Sequence, residues 1–305
     1  MIKYIIKRLL IGVLTLFVLV AITFFMTKLM PGSPLQSKNI SGDVLAKMEA
    51  KYNLDKPAPV QFLLYCKGLL HGDLGTSYKK VGTEVSTIIK ETMWPTIKLG
   101  LVTFVFVLVA GVGAGIAMAK AKSNTIKGVW LTGITLGVSI PNFLVALLIM
   151  LLFGVYLKWF PTMGLNSPAT YVMPVLAQGL YPISAVARLT QSSYEEVIKQ
   201  DYITMARAKG ISKTTILFRH VLKNAMLPVI TYMGPTVAFL LTGSVTIERI
   251  FTIPGIGREF VTAIMNHDYT VVMGITIFIG AIIILCNLLA DVICAIVDPR
   301  IRKSL

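Results

Sequence analysis

The stretch Leu99–Ala119 reads LGLVTFVFVLVAGVGAGIAMA, without an aspartate, glutamate, lysine or arginine. A helix rises 1.5 Å per residue, so about 20 such residues match the hydrocarbon core of a bilayer. In lipid every backbone N–H and C=O must be paired internally, so a run of this kind is read as a transmembrane helix. Working outward, five more uncharged runs reach 19 residues or more: Leu9–Thr27, Gly128–Leu157, Trp159–Ala187, Asn224–Thr246 (extended by Ile247) and Tyr269–Ala290. The run at Trp159 opens with Pro161, Gly164 and Pro168, so its helix is expected to be short, over Tyr171–Ala187. The first run follows Lys3, Lys7 and Arg8, as a signal peptide would. It is longer than a signal core and shows no small-x-small pattern before Pro31, so it is expected to remain as a span. The fold class is an all-α integral membrane protein with six transmembrane helices.

Composition agrees. Of 305 residues, 55% are hydrophobic and 14% charged, against about a quarter charged in soluble domains. The net charge of +15 invites a nucleic-acid reading, but the basic residues sit between apolar runs and no groove-reading motif accompanies them, so no nucleic-acid partner is expected. Their distribution instead orients the chain. The N-terminus, the loop with Lys120, Lys122 and Lys127, the loop Arg188–Lys223 and the tail hold sixteen lysines and arginines, while the opposite short loops hold three. The positive-inside rule makes both termini cytoplasmic. The chain divides into residues 1–30 with the first span, an extracytoplasmic segment 31–95, and a core 96–305 that carries a cytoplasmic loop, 188–226. In the extracytoplasmic segment, Ser41 is expected to cap a helix through Tyr52. Pro57 and Pro59 open a second, ended at Gly72, whose apolar face suits either the membrane surface or the spans.

Chemistry is sparse. Cys66, Cys286 and Cys294, and His71, His220 and His267, lack ligand or redox spacing and are read as structural. No G-x-x-x-x-G-K-[ST], G-x-S-x-G or H-E-x-x-H occurs, so neither triphosphate binding nor catalysis is expected in this chain. The six runs are free of charge, with Asp291 just beyond the last. Asn142, Gln178 and Asn287 are read as helix–helix hydrogen-bonding groups. If transport is driven, the motor is on another polypeptide.

The loop Arg188–Pro228 reads RLTQSSYEEVIKQDYITMARAKGISKTTILFRHVLKNAMLP. Ile198, Tyr202, Met205 and Ala206 fall at helical spacing as one apolar stripe. Gly210 ends that helix, and Ser212 caps the next. Ala206, Ala208 and Gly210 are small enough for another protein's backbone to approach, and Arg207 and Lys209 suit acidic groups. An amphipathic linker lying on the membrane surface fits the same residues.

Ala206, Gly210 and Leu227-Pro228 resemble the EAA loop of binding-protein-dependent ABC importer permeases. Further blocks, among them LDKPAPVQF (54–62), GLLHGDLGTSY (68–78), SIPNF (139–143), QDYITMARAKG (200–210), IERIFTIPGIG (247–257) and HDYTVVMG (267–274), resemble the B subunit of oligopeptide/dipeptide permeases, with YMGP (232–235) and LTGS (241–244) favouring the oligopeptide branch over the dipeptide or nickel branch. Thr204 and Met205 stand where the general EAA pattern has glutamate and alanine. The resemblance implies a type I ABC importer permease fold in the bacterial plasma (inner) membrane and one half of a pore for peptide. It implies a homologous second permease subunit, two cytoplasmic ATPase subunits that hold ATP and Mg, an extracytoplasmic peptide-binding protein, and no cofactor in this chain. It makes Asp201, Tyr202, Met205, Ala206, Arg207, Ala208, Lys209 and Gly210 the ATPase-coupling helix.

Overall fold

The computed structural model describes residues 2–29 and 53–297. Among them the regular structure is helical, apart from one antiparallel bridge between Thr76 and Glu84. In chain order the helices are α1 (Ile2–Leu29), α2 (Ala58–Leu70), α3 (Val85–Lys120), α4 (Asn124–Ser139), α5 (Asn142–Ile149, continued by a π-helical stretch Met150–Tyr156), α6 (Pro168–Val197), α7 (Asp201–Ala208), α8 (Lys213–Thr215, continued by a π-helical stretch Ile216–Val221), α9 (Leu222–Ala225), α10 (Leu227–Thr242), α11 (Val245–Ile250), α12 (Ile256–Met265) and α13 (Tyr269–Val297).

Five stretches are long and apolar enough to cross a bilayer: Tyr4–Leu29, Val85–Lys120, Pro168–Val197, Leu227–Ile250 and Tyr269–Ile296. The run expected as one span over Gly128–Leu157 is instead a pair, α4 and α5, bent by 105°. Pro141 causes the break. It has no N–H to continue the ladder, and it holds Ile140 at φ −84°, ψ 127°, the extended region preferred before proline. The pair still carries the chain across. Lys120 at the end of α3 lies beside Tyr194 near the end of α6, so α6 begins at the opposite face and α4–α5 must connect the two.

Two other boundaries move. α3 starts at Val85, so Pro95 lies inside the helix rather than at the division between segment 31–95 and the core. Lys90, Glu91 and Lys98 interrupt the apolar run in sequence, but Val85, Ile88 and Ile89 bury against Ile256, Val271 and Ile275 and extend the helix. α6 is not short: it runs for 30 residues, past Arg188. The Ser167 N–H donates to Thr170 Oγ1 at 3.2 Å to open it, and buried Thr190 and Tyr194 keep one face packed beyond the apolar run.

α6 is the central helix, with 56% of its most apolar window buried against 17% for α1. α3 lies along it at small residues: a Cβ on Gly115 would stand 2.5 Å from the Thr190 Cβ, so only glycine permits this approach. α1 packs on α13, and Arg8 pairs with Asp291 at 3.2 Å, which sets the first and last spans antiparallel, with the start of α1 beside the end of α13. Its outer side exposes Leu10, Val13, Leu14 and Phe17, as a lipid-facing helix does. α2 ends before Gly72, at φ +77°, and packs on the spans: Phe62 lies 5.3 Å from Phe24 and 5.6 Å from Phe25. The helix expected over Ser41–Tyr52 lies outside the described residues.

Candidate functional site

The loop between α6 and α10 folds back on the spans. α7 seats Ile203 and Ala206 against Tyr194, Ile216 and Val221, with Ile198, Ile211 and Leu217 around them. The stripe read from spacing therefore divides. Ile198 and Ala206 face this cluster, while Tyr202 and Met205 point outward, 41% and 60% exposed. The expectation that Ala206 receives another protein's backbone is corrected, because its methyl is already covered by this chain. Asp201, Arg207, Ala208, Lys209 and Gly210 are exposed. Neither Arg207 nor Lys209 makes an ion pair among the described residues.

The turn after α7 is fixed by local hydrogen bonds. Gly210 has φ +74°. Its N–H donates to the Arg207 carbonyl at 3.0 Å, and the Ile211 N–H donates to the Ala206 carbonyl at 3.3 Å. That is the paired Schellman arrangement, closed by Ile211 packing near Ala206. Ser212 Oγ then accepts the Thr215 N–H at 3.2 Å, the expected cap. Asn224 Nδ2 donates to the Tyr202 hydroxyl at 2.7 Å, which ties α7 to the entrance of α10. The helix that follows widens into its π-helical stretch where it meets α7. Ile203 and Ala206 thus join α7 to Tyr194 of α6, and Tyr202 joins it to Asn224, just before α10.

At the opposite face two buried carboxylates organise the loops, and sequence reading assigned neither. Glu248 is fully buried. It accepts the Thr96 hydroxyl and the Arg258 N–H, both at 2.8 Å, while Thr96 Oγ1 accepts the Ile256 N–H at 2.9 Å. Its carboxylate fills the space that a side chain at Gly255 would need. Asp268 accepts the Ser77 hydroxyl, the Tyr78 N–H at 3.1 Å and the Thr270 hydroxyl at 3.1 Å, joining residues 76–80 to the start of α13. Lys80 adds an ion pair to Glu259 at 2.6 Å. The sequence signal was a carboxylate at each edge of an apolar run, with glycines following Glu248 closely. The three cysteines are free, and burial pushes the Cys66 thiol up, which keeps it protonated. Among the described residues no group of three His, Cys, Asp or Glu side chains has metal-binding geometry.

The described residues thus form a membrane-spanning helical core with a short, outward-facing helix between two spans. The chain belongs to the family of binding-protein-dependent transport system inner membrane components: the family model matches residues 111–303, and that of its N-terminal region matches residues 1–100. It is 39% identical to the oligopeptide transport system permease protein OppB of Haemophilus influenzae and 40% identical to OppB of Escherichia coli K12, in each case over 99% of this chain and all of the relative. The dipeptide transport system permease protein DppB of Lactococcus lactis is 38% identical with the same coverage. An inward-facing structure of the MetNI methionine ABC transporter shares the fold, with a TM-score of 0.58 at 16% identity over 70% of this chain and 97% of that one.

Proposed function

We propose that this chain is the peptide-conducting membrane subunit of an ATP-driven importer in the bacterial plasma membrane, forming half of the pore. The observation that carries this is the 38–41% identity, over essentially the whole length, to oligopeptide and dipeptide permease subunits. A homologous permease completes the pore. Two cytoplasmic ATPases bind ATP and Mg, and an extracytoplasmic binding protein delivers the peptide. Both termini and the 188–226 loop are cytoplasmic, supported by the basic residues that cluster there. The outward face of α7 (Asp201, Tyr202, Met205, Arg207, Ala208 and Lys209, turned by Gly210) meets an ATPase. Closure of the ATPases drives a rigid-body change between inward-open and outward-open packings.

The substrate is a peptide, with the oligopeptide branch favoured by the YMGP and LTGS segments. The test is uptake by proteoliposomes holding the whole complex, offered a labelled dipeptide and a labelled longer peptide with ATP inside. ATP-dependent uptake of the longer peptide is expected. Uptake of the dipeptide alone would move the chain to the dipeptide branch, and uptake of neither would overturn the reading.

A further inference from the structure

Beside α7 three cations gather around one cavity. Lys120 at the end of α3, Arg207 of α7 and Lys213 at the start of α8 line a space of about 520 Å³. All three are exposed. None of them is in an ion pair among the described residues, and no carboxylate lines the cavity. Glu195, the nearest acidic residue before α7 but one, is taken up by Lys127 at 3.8 Å. The wall of the cavity is apolar and includes Ile198, Ile211 and Leu217, each half-buried.

Arg207 reaches this space from the flank of α7. It follows Ala206 by one residue and Ile203 by four, and those are the two side chains that α7 buries. Lys209 instead follows Met205 by four, on the outward face, and does not line the cavity. The height of the cavity follows from α3. Leu99–Ala119 is free of charge and, at 1.5 Å per residue, covers about 30 Å, the thickness of the hydrocarbon core. Lys120 is the first residue beyond it, so the cavity opens where the phosphates of lipid headgroups lie. Cations at this height beside an apolar wall suit an amphiphile, with its phosphate among the cations and its first acyl carbons on the wall. A free phosphate would leave the wall uncovered, and a protein seated on Met205 and Lys209 approaches α7 from its other side.

We propose that this cavity holds the headgroup phosphate of an anionic phospholipid, gripped by Lys120, Arg207 and Lys213. Among the described residues no side-chain hydrogen bond or ion pair joins α3 to α7 or α8, and the lipid phosphate supplies that link. It pins the loop assigned above to ATPase coupling to the end of a span; this consequence alone rests on the importer reading.

The experiment places the intact complex in bilayers of equal phosphatidylglycerol and phosphatidylcholine, with the photoreactive residue benzoylphenylalanine at Ile198 or, as a second site, at Leu217. Mass spectrometry of this chain after irradiation identifies what each probe captures. Phosphatidylglycerol adducts should exceed phosphatidylcholine adducts by about tenfold, and Lys120→Gln combined with Lys213→Gln should bring that ratio to about twofold or less. Both substitutions lie outside α7, so co-purified ATPase should be retained. Inorganic phosphate, compared with chloride at the same ionic strength, should not displace the lipid. Equal capture of the two lipids, or a ratio that the substitutions leave unchanged, would overturn the proposal. Capture of an ATPase subunit in place of lipid would also overturn it and give the cations to that interface, and loss of the adducts in phosphate would make this a site for a free anion. The adducts are read whether or not the complex imports peptide, so failure of the importer reading leaves the lipid site standing.

Discussion

Ala206 and Met205 are adjacent and face opposite ways, 6% and 60% exposed. Their substitutions should therefore fail differently. Ala206→Trp overfills the seat among Tyr194, Ile216 and Val221, at about 1–3 kcal/mol. The loop should become protease-sensitive even in the isolated chain. Met205→Asp changes only the outward face, so membrane abundance and protease resistance should hold while co-purified ATPase falls. Wild-type ATPase recovery with Met205→Asp would move the interface off this face. A Cβ at Gly210 would meet nothing within 4 Å, so the constraint there is conformational. At φ +74°, Gly210→Val should cost about 1–2 kcal/mol of loop stability. Gly210→Asn should be tolerated, because asparagine also adopts this conformation. Peptide uptake by the two variants in intact membranes checks this; equal loss in both would show that the turn geometry is not the constraint.

At the scale of elements, Glu248 and Thr96 hold the 251–258 turn between α3, α11 and α12. Glu248→Gln keeps the shape but replaces one acceptor oxygen with an NH₂ that must face an N–H or hydroxyl. Thr96→Val removes both the donor to Glu248 and the acceptor for Ile256. Each should cost about 1–3 kcal/mol, the usual consequence of stranding a buried polar group. A lower unfolding temperature of the purified complex and faster tryptic cleavage at Arg258 are the expected readouts. Unchanged cleavage in both variants would show that this carboxylate does not clamp the turn. Asp268 does the same work for residues 76–80, so this face is built from short segments tied to helix ends by carboxylates.

For the whole molecule, the antiparallel packing of α1 and α13 and the crossing made by α4–α5 yield a definite topology. Reporter fusions after Lys79, Pro168 and Asn266 should report the extracytoplasmic side, and fusions after Lys122, Lys213 and Leu305 the cytoplasm. The same side for Lys122 and Pro168 would make the bent pair a re-entrant loop. Purified alone, the chain should neither bind nor hydrolyse ATP, as it lacks a phosphate-cradling loop. Specific, stoichiometric ATP binding by the isolated chain would refute this.

Much was legible in the residues because lipid imposes one rule on every segment: about 20 uncharged apolar positions make a helix. That rule located the spans, and the basic loops supply the orientation that the reporter fusions test. Gly210 and Ser212 marked their turns because a left-handed residue and a cap are local requirements. What the sequence could not decide was which face of a short helix is covered. At α7 the spacing allowed Tyr202 and Met205 to join Ala206, and only Tyr194 and Val221, brought in from other helices, turned Ile203 inward and the other two out. Helix ends moved for the same reason: Val85 and Tyr194 extend α3 and α6 beyond their apolar runs because they pack on distant residues. Gln178 read as ordinary interhelical glue in one dimension. That its Oε1 lacks a partner among the described residues is a property of the space around it, and only the tertiary structure defines that space.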